Sequence, residues 1–319
     1  MVVKRLIMKR ILLIVATAVT MLLSLTSCSD FTSPDRFEGN AYSISGLLVA
    51  GNSISLDQPI YVCRSSSIND FNALELFVPD ATVLIIDQNT NEQFNLTPAL
   101  HEYKVKYVDE NNHVIIADHV YRIEVDIPGY DKTVWAETHV PVSADLIRDY
   151  NNLDVAGEGY SVSANPIDSL SYNDLDVRYP IAMNTGNYSG PVNLYLEFFC
   201  LEEFSTALEF TNPIFGTTNP SSNMESDYYE AGESIRRIHF IGRYTSMQQP
   251  DYQDNYLLVN DFKQAFIFFG RYRVTAYAVD DNYYKYSYMP EGYLYGGVHN
   301  GLGYFGSASG GKMFTKVYK

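Results

Sequence analysis

The stretch Gly301-Leu302-Gly303-Tyr304-Phe305-Gly306 has the glycine spacing that cradles a dinucleotide pyrophosphate. That chemistry needs a strand before the glycines, a helix N-terminus to take the pyrophosphate, and an acidic residue about 20 positions further on. The sequence as given stops at Lys319, short of that position, so the stretch reads as a β-turn or loop needing positive φ. Asp87-Gln88-Asn89-Thr90-Asn91 opens like a calcium loop, but Glu92 stands where the loop needs glycine and Pro98 where it needs glutamate. It reads as a hairpin turn. Gly306-Ser307-Ala308-Ser309-Gly310 has the outline of a nucleophile elbow with Ala308 in the attacking position. His101, His113, His119, His139, His239 and His299 show no metal-ligand spacing and read as surface or turn residues. Asp280-Asp281 and Glu202-Glu203 are adjacent pairs, and neighbours on a strand point to opposite faces, so neither pair offers one substrate two carboxylates. No catalytic residue, metal site or cofactor is expected.

Cys28 has a setting with a definite chemistry. Met8-Lys9-Arg10 puts two cations ahead of an unbroken apolar run from Ile11 to Leu25, the layout of an export signal. The run is about 15 residues, short of the roughly 20 a spanning helix needs, so it reads as a signal core and not an anchor. Small residues Thr26 and Ser27 separate Leu25 from Cys28. Leu25-Thr26-Ser27-Cys28 resembles the lipobox of bacterial lipoproteins, in which the cysteine thiol receives a diacylglycerol and becomes the mature N-terminus. Each buried methylene adds roughly 0.8 kcal/mol of membrane affinity, and stable attachment takes two chains or more. A diacylated, N-acylated Cys28 would exceed that requirement, so the protein is expected to be tethered to a membrane by lipid and not inserted in it.

The chain carries 22 Lys+Arg and 38 Asp+Glu. Lys4, Arg5, Lys9 and Arg10 lie in the signal, which has no acid, so the mature chain keeps 18 basic against 38 acidic residues, a net charge of about −20. No basic run is visible, which argues against a nucleic-acid partner and against electrostatic adhesion to anionic lipid. At 46% hydrophobic and 19% charged residues the chain is globular, and its length suits two domains with real cores. The 27 Tyr and 17 Phe beside a single Trp fit half-buried strands, with a stacking platform for sugars or peptides as the alternative. Cys63 and Cys200 sit in apolar strand-like runs and read as free thiols in preference to an interdomain disulfide.

The expected fold is all-β, with two sandwich-like domains. A signal at 1–27 and a lipidated tether at 28–40 precede an immunoglobulin-like or transthyretin-like sandwich at 41–142, a linker at 143–175 and a second, mainly β domain at 176–319 with one or two short helices. Strands are predicted in the first domain at 42–49, 59–63, 81–87, 92–96, 103–108, 114–116, 120–125 and 133–138, from alternation and β-branched runs between turn residues. Ser143 to Asp149 reads as one helical turn. In the second domain strands are predicted at 176–179, 192–199, 235–241, 256–259 and 270–279, with helical spacing at 261–268 and a long exposed excursion at 211–232. Long loops on rigid scaffolds often carry binding residues.

Three pieces together resemble one family. They are the lipobox; Ile44-Ser45-Gly46-Leu47-Leu48 with Pro79-Asp80-Ala81-Thr82-Val83 and Trp135-Ala136-Glu137-Thr138-His139-Val140-Pro141; and Gly301 to Gly306. The chain is similar to the Bacteroidota outer-membrane lipoproteins grouped as domain of unknown function four-two-four-nine, commonly encoded beside TonB-dependent receptors. The resemblance implies outer-membrane location through the lipid on Cys28 and a TonB-dependent receptor as partner. It brings no catalytic residue and does not identify a small-molecule or glycan ligand. Asp168-Ser169-Leu170 also resembles a short O-glycosylation acceptor of exported Bacteroidota proteins. The expected function is a non-enzymatic, lipid-anchored accessory or binding protein. The alternatives are a structural or adhesive, fimbrial-like surface lipoprotein and, last, a glycan-active hydrolase, which would need two carboxyl groups facing each other across about 5–10 Å.

Overall fold

The computed structural model describes residues 41–66, 73–147, 169–173, 181–205, 207–211, 236–248, 254–259 and 262–319. All but Ser65 and Ser66 fall in one compact unit, Ala41–Arg64 with Ala73–Lys319. The signal, the lipobox residues Leu25, Thr26, Ser27 and Cys28, the tether, the strand expected at 176–179 and most of the excursion at 211–232 lie outside the described residues.

The described chain is mostly β and sandwich-like. Its first strands are β1 (Tyr42–Val49), β2 (Tyr61–Arg64), β3 (Thr82–Asp87), β4 (Gln93–His101), β5 (Lys104–Val108), β6 (Val120–Asp126) and β7 (Val134–His139). Next come β8 (Asp145–Ile147), β9 (Ser169–Ser171), β10 (Ile181–Gly186), β11 (Pro191–Cys200), β12 (Arg237–Thr245), β13 (Met247–Gln248) and β14 (Asn255–Val259). The chain closes with β15 (Gly270–Val279), helix α1 (Asp281–Tyr288), β16 (Val298–His299) and β17 (Leu302–Tyr318).

Among the described residues three sheets result. A six-stranded sheet runs β16-β7-β6-β3-β4-β5, a four-stranded one β13-β14-β10-β8, and a seven-stranded one β12-β11-β15-β17-β1-β2 with β9 also on β17. Alternation decides which side chains go inward. Val83 and Ile85, then Tyr121, Ile123 and Val125, point into a first core that includes Ile44, Val62 and Phe305. Leu194, Leu196 and Phe198 with Tyr272, Val274 and Ala276 point into a second core against Ile181, Met183 and Leu257. Much of the tyrosine load packs here with its hydroxyl satisfied. Buried Tyr107 donates to the Val78 carbonyl at 2.6 Å, and buried Tyr272 donates to the Phe268 carbonyl at 3.0 Å. Cys200 is buried, Cys63 is half-buried, and both are free thiols.

Several expectations need correction. Residues 145–147 form β8, paired with β10, and not a helical turn. Residues 114–116 make no strand; Ile115 bonds through its backbone to Gly51 and Asn52 of a loop. Tyr103 lies in the β4–β5 turn, where Glu102 and Tyr103 both adopt positive φ, and β4 continues to His101. The helical spacing at 261–268 yields one short 3₁₀ turn, Lys263–Ala265. The glycine-rich stretch from Gly303 to Gly306 is strand, not turn, paired in parallel with Ile44 to Leu47. Its positive φ is real at Gly303, where an added Cβ would sit 2.1 Å from the Ile44 carbonyl oxygen. Gly306 lets α1 approach, since a Cβ there would meet Tyr283 Cβ at 2.7 Å.

Asp280 lies on no strand. It is the N-cap of α1 and ties three elements together. Its Oδ1 accepts from the Tyr283 amide at 3.0 Å and the Ser307 amide at 3.1 Å, and its Oδ2 from the Thr138 hydroxyl at 2.7 Å. Burial pushes this carboxyl above the ordinary aspartate value, and those hydrogen bonds oppose the shift. A raised native pKa means that the folded state keeps a proton the unfolded chain releases. The stability from this group is therefore present at low pH and lost as pH rises through the native pKa. In urea unfolding, Asp280→Ala should cost roughly 2–4 kcal/mol, because it strands buried amides and removes a cap. Asp280→Asn should cost less, and its deficit against wild type should shrink as pH rises from the acid side; a pH-independent deficit would contradict the shift.

Candidate functional site

The seven-stranded sheet has a second face, opposite the second core. Residues 237, 239, 241 and 243 of β12, 193 to 199 of β11 by twos, 271 to 277 of β15 by twos, and 312, 314 and 316 of β17 turn toward it. Cross-strand register aligns them: Tyr195 stands opposite Tyr277, Glu197 opposite Thr275, and Phe199 opposite both Arg237 and Arg273. Thr275 in turn stands opposite Lys312. The face thereby collects Arg237, Arg243, Arg271, Arg273, Lys312 and Lys316. Glu197 is the single carboxylate at these strand positions.

Glu197 organises the centre. Its side chain is 9% exposed and receives Arg237 Nη1 at 3.0 Å and Arg273 Nη2 at 3.2 Å. The Tyr195 hydroxyl also donates to it, at 3.2 Å. Both guanidinium groups lie over the Phe199 ring, at 4.8 Å and 5.1 Å from its centroid. Further along, Glu202 takes Arg271 through both oxygens at 2.9 and 3.1 Å, which pulls its pKa down to about 2. Asp281 lies 3.6 Å from Arg243.

A cleft of about 850 Å³ opens on this face, with β1, β2 and residues 51–59 forming its far wall. Five tyrosines line it: Tyr61, Tyr195, Tyr277, Tyr283 and Tyr304. Tyr195 meets Tyr283 edge-on at 5.8 Å, and Tyr283 meets Tyr304 at 5.3 Å, so three of the rings form a connected wall. Burial pushes the Tyr283 hydroxyl up to about 12 and raises Tyr195, Tyr277 and Tyr304 as well, so these hydroxyls stay protonated at neutral pH. A second cavity, of about 470 Å³, reaches Asp280, Asp281, Glu137 and Asn193. Its polar side chains bond one another or neighbouring protein groups: Asn193 holds Asp281, and Gln88 and Arg122 hold Glu137. The larger cleft, with rings and excess donors facing inward, is the better ligand site.

No histidine lines this cleft, although His239 lies beside it and stacks on Tyr195 at 6.1 Å. His119 bonds Asp87 at 2.8 Å and His113 bonds Asp109 at 2.9 Å, both bracing turns, while His299 stacks on Trp135 at 3.9 Å. The Asp87 loop is the hairpin turn its spacing implied, with the carboxylate accepting from the Asn89 amide. Among the described residues no group of three His, Cys, Asp or Glu could hold a metal ion.

A family model described as Domain of unknown function (DUF4249) matches residues 31–312. The chain belongs to this family. The match to DUF4249 takes in β1 through β15 and β17 as far as Lys312, and so every residue named above as lining the cleft. No curated protein matches the chain. Among solved structures, the FN1-FN3 domains of chicken CNTN1 align at 9% identity over 88% of this chain, with a TM-score of 0.17. The aligned part spans 65% of that structure's length, and at that score the likeness carries no argument.

The cation assembly of this DUF4249 protein escaped the sequence because its members are scattered from 237 to 316 and meet only through strand pairing. The available signal was the polar phase of β15, Arg271-x-Arg273-x-Thr275-x-Tyr277. Glu197→Ala should leave two guanidiniums facing each other without a counter-charge. Urea unfolding should show a loss of about 1–3 kcal/mol, below the 3–5 of a fully buried pair because Arg237 reaches solvent. A loss under about half a kcal/mol would mean that Glu197 does not organise the site.

Proposed function

We propose that this protein is a lipid-anchored, non-enzymatic binding protein of the outer membrane of a Bacteroidota cell, acting beside a TonB-dependent transporter. The observation that carries the binding role is the cleft: rings and guanidinium groups held on the face of a hydrogen-bonded sheet, where recognition needs little rearrangement. The lipid attachment rests on Leu25-Thr26-Ser27-Cys28 at the end of an apolar signal.

The non-enzymatic reading follows from how four of the five carboxylates of the two cavities are used, Asp57 of the cleft wall being the fifth. Glu197 is held by two arginines and a tyrosine, Asp280 caps a helix, Glu137 is bound by Gln88 and Arg122, and Asp281 is bound by Asn193. A general acid or base must exchange its proton with substrate. Carboxylates engaged in this way orient their neighbours instead.

Mild detergent extraction with gentle cross-linking tests the proposal. The wild-type chain should sediment with membranes and cross-link to a β-barrel receptor, and Cys28→Ser should appear folded in the soluble fraction. A Cys28→Ser protein that still sediments would remove the lipid from the account, and a wild-type protein recovered alone would remove the transporter.

A further inference from the structure

We infer that the ligand of the cleft is an anionic glycan: a run of carboxylate-bearing sugars lying along the tyrosines with its acid groups on Arg237, Arg273 and Lys312. The inference rests on the cleft being the binding site.

Charge comes first. The chain has a net charge of −16, yet this face carries six cations. Of the charged residues that line the cleft itself, Arg237, Arg273 and Lys312 stand against Glu197 and Asp57, which leaves one positive charge in excess. An anion is drawn to this face and repelled by a chain that is acidic overall.

Donor geometry comes second. A guanidinium has five N–H donors, and Glu197 takes one nitrogen of Arg237 and one of Arg273. The Arg273 Nε is buried and has no hydrogen-bond partner. Glu197 and the Phe199 ring hold both groups in place, so their remaining donors are oriented before any ligand arrives. An incoming carboxylate can use the donors that are open to the cleft, those of the half-exposed Arg237 above all, without the entropy cost of ordering two long side chains.

The choice of a sugar over a peptide follows from the floor. It is built on β11 and β15, each paired on both sides, so their backbone groups cannot take up an added strand. Recognition must go through side chains. Tyrosine rings offer apolar faces to the C–H faces of pyranose rings. A cleft of about 850 Å³ lies in the upper part of the usual small-ligand range.

Calorimetric titration of the full chain in detergent tests this, with short oligogalacturonates, their methyl esters and poly-L-glutamate as probes. The acid sugar should bind, more weakly as salt rises, and about tenfold tighter than the ester, which has the same rings without the charge. Arg237→Gln should weaken the acid sugar severalfold and leave the ester unchanged. Lys312→Glu, on an exposed side chain, should do the same. Acid and ester binding equally, with both lost in Tyr61→Ala, would overturn the charge inference and keep the cleft as a binding site. Tighter binding of poly-L-glutamate would make the ligand an acidic peptide and overturn the glycan. Binding of no sugar would overturn the inference outright.

Discussion

β17 exchanges backbone hydrogen bonds with β1 along its first half, in parallel, and with β15 along its second, antiparallel. That ladder makes one sheet out of strands that begin at residue 42 and end at residue 318. It also fixes the register of everything above the sheet. Leu47 pairs with Gly306 and Thr275 with Lys312, and because side chains alternate, a slip of one residue would turn Lys312 into the second core and Met313 out of it. The cleft exists because this strand keeps its phase through both halves. Gly303 and Gly306 are what let β1 and α1 come close enough to hold it there.

Two buried carboxylates do comparable work beside that ladder. Asp280 receives α1, β7 and β17, and Glu197 receives β12, β15 and its own strand's Tyr195. Taking either charge out of water is costly, and the return comes from several donors converging on one group. The balance differs in a way that matters. Asp280 is met by neutral donors, so burial wins and its pKa rises. Glu197 is met by two guanidinium groups that bring their own charge. The first arrangement locks a helix onto the sheet, and the second leaves positive charge available at the surface.

Much of the fold could be read from residue order. β1 and β15 were visible as alternating runs, and β11 differs from its predicted span by one residue at each end, because each lies between clear turn residues. The Asp87 hairpin was visible through its spacing. Helix α1 was not, since Tyr283, Tyr284, Tyr286 and Tyr288 favour strands, and only the Asp280 cap and the Asp281–Lys285 pair mark a helix. β8 is three residues long and owes its shape to pairing with β10. The cleft was legible only as an excess of tyrosine. Its cations come from three strands far apart in sequence, and no local pattern announces that they share a face.

On the proposed reading, the arginines and tyrosines that this acidic DUF4249 chain gathers on one sheet face tell an anion from a neutral ring. The most direct measurement of that is a crystal structure of the protein grown with a short oligogalacturonate. The account predicts sugar rings against Tyr61 and Tyr195 and a carboxylate within hydrogen-bond distance of Arg237 or Arg273. A sugar seated elsewhere on the molecule, with the cleft empty beside it, would contradict it.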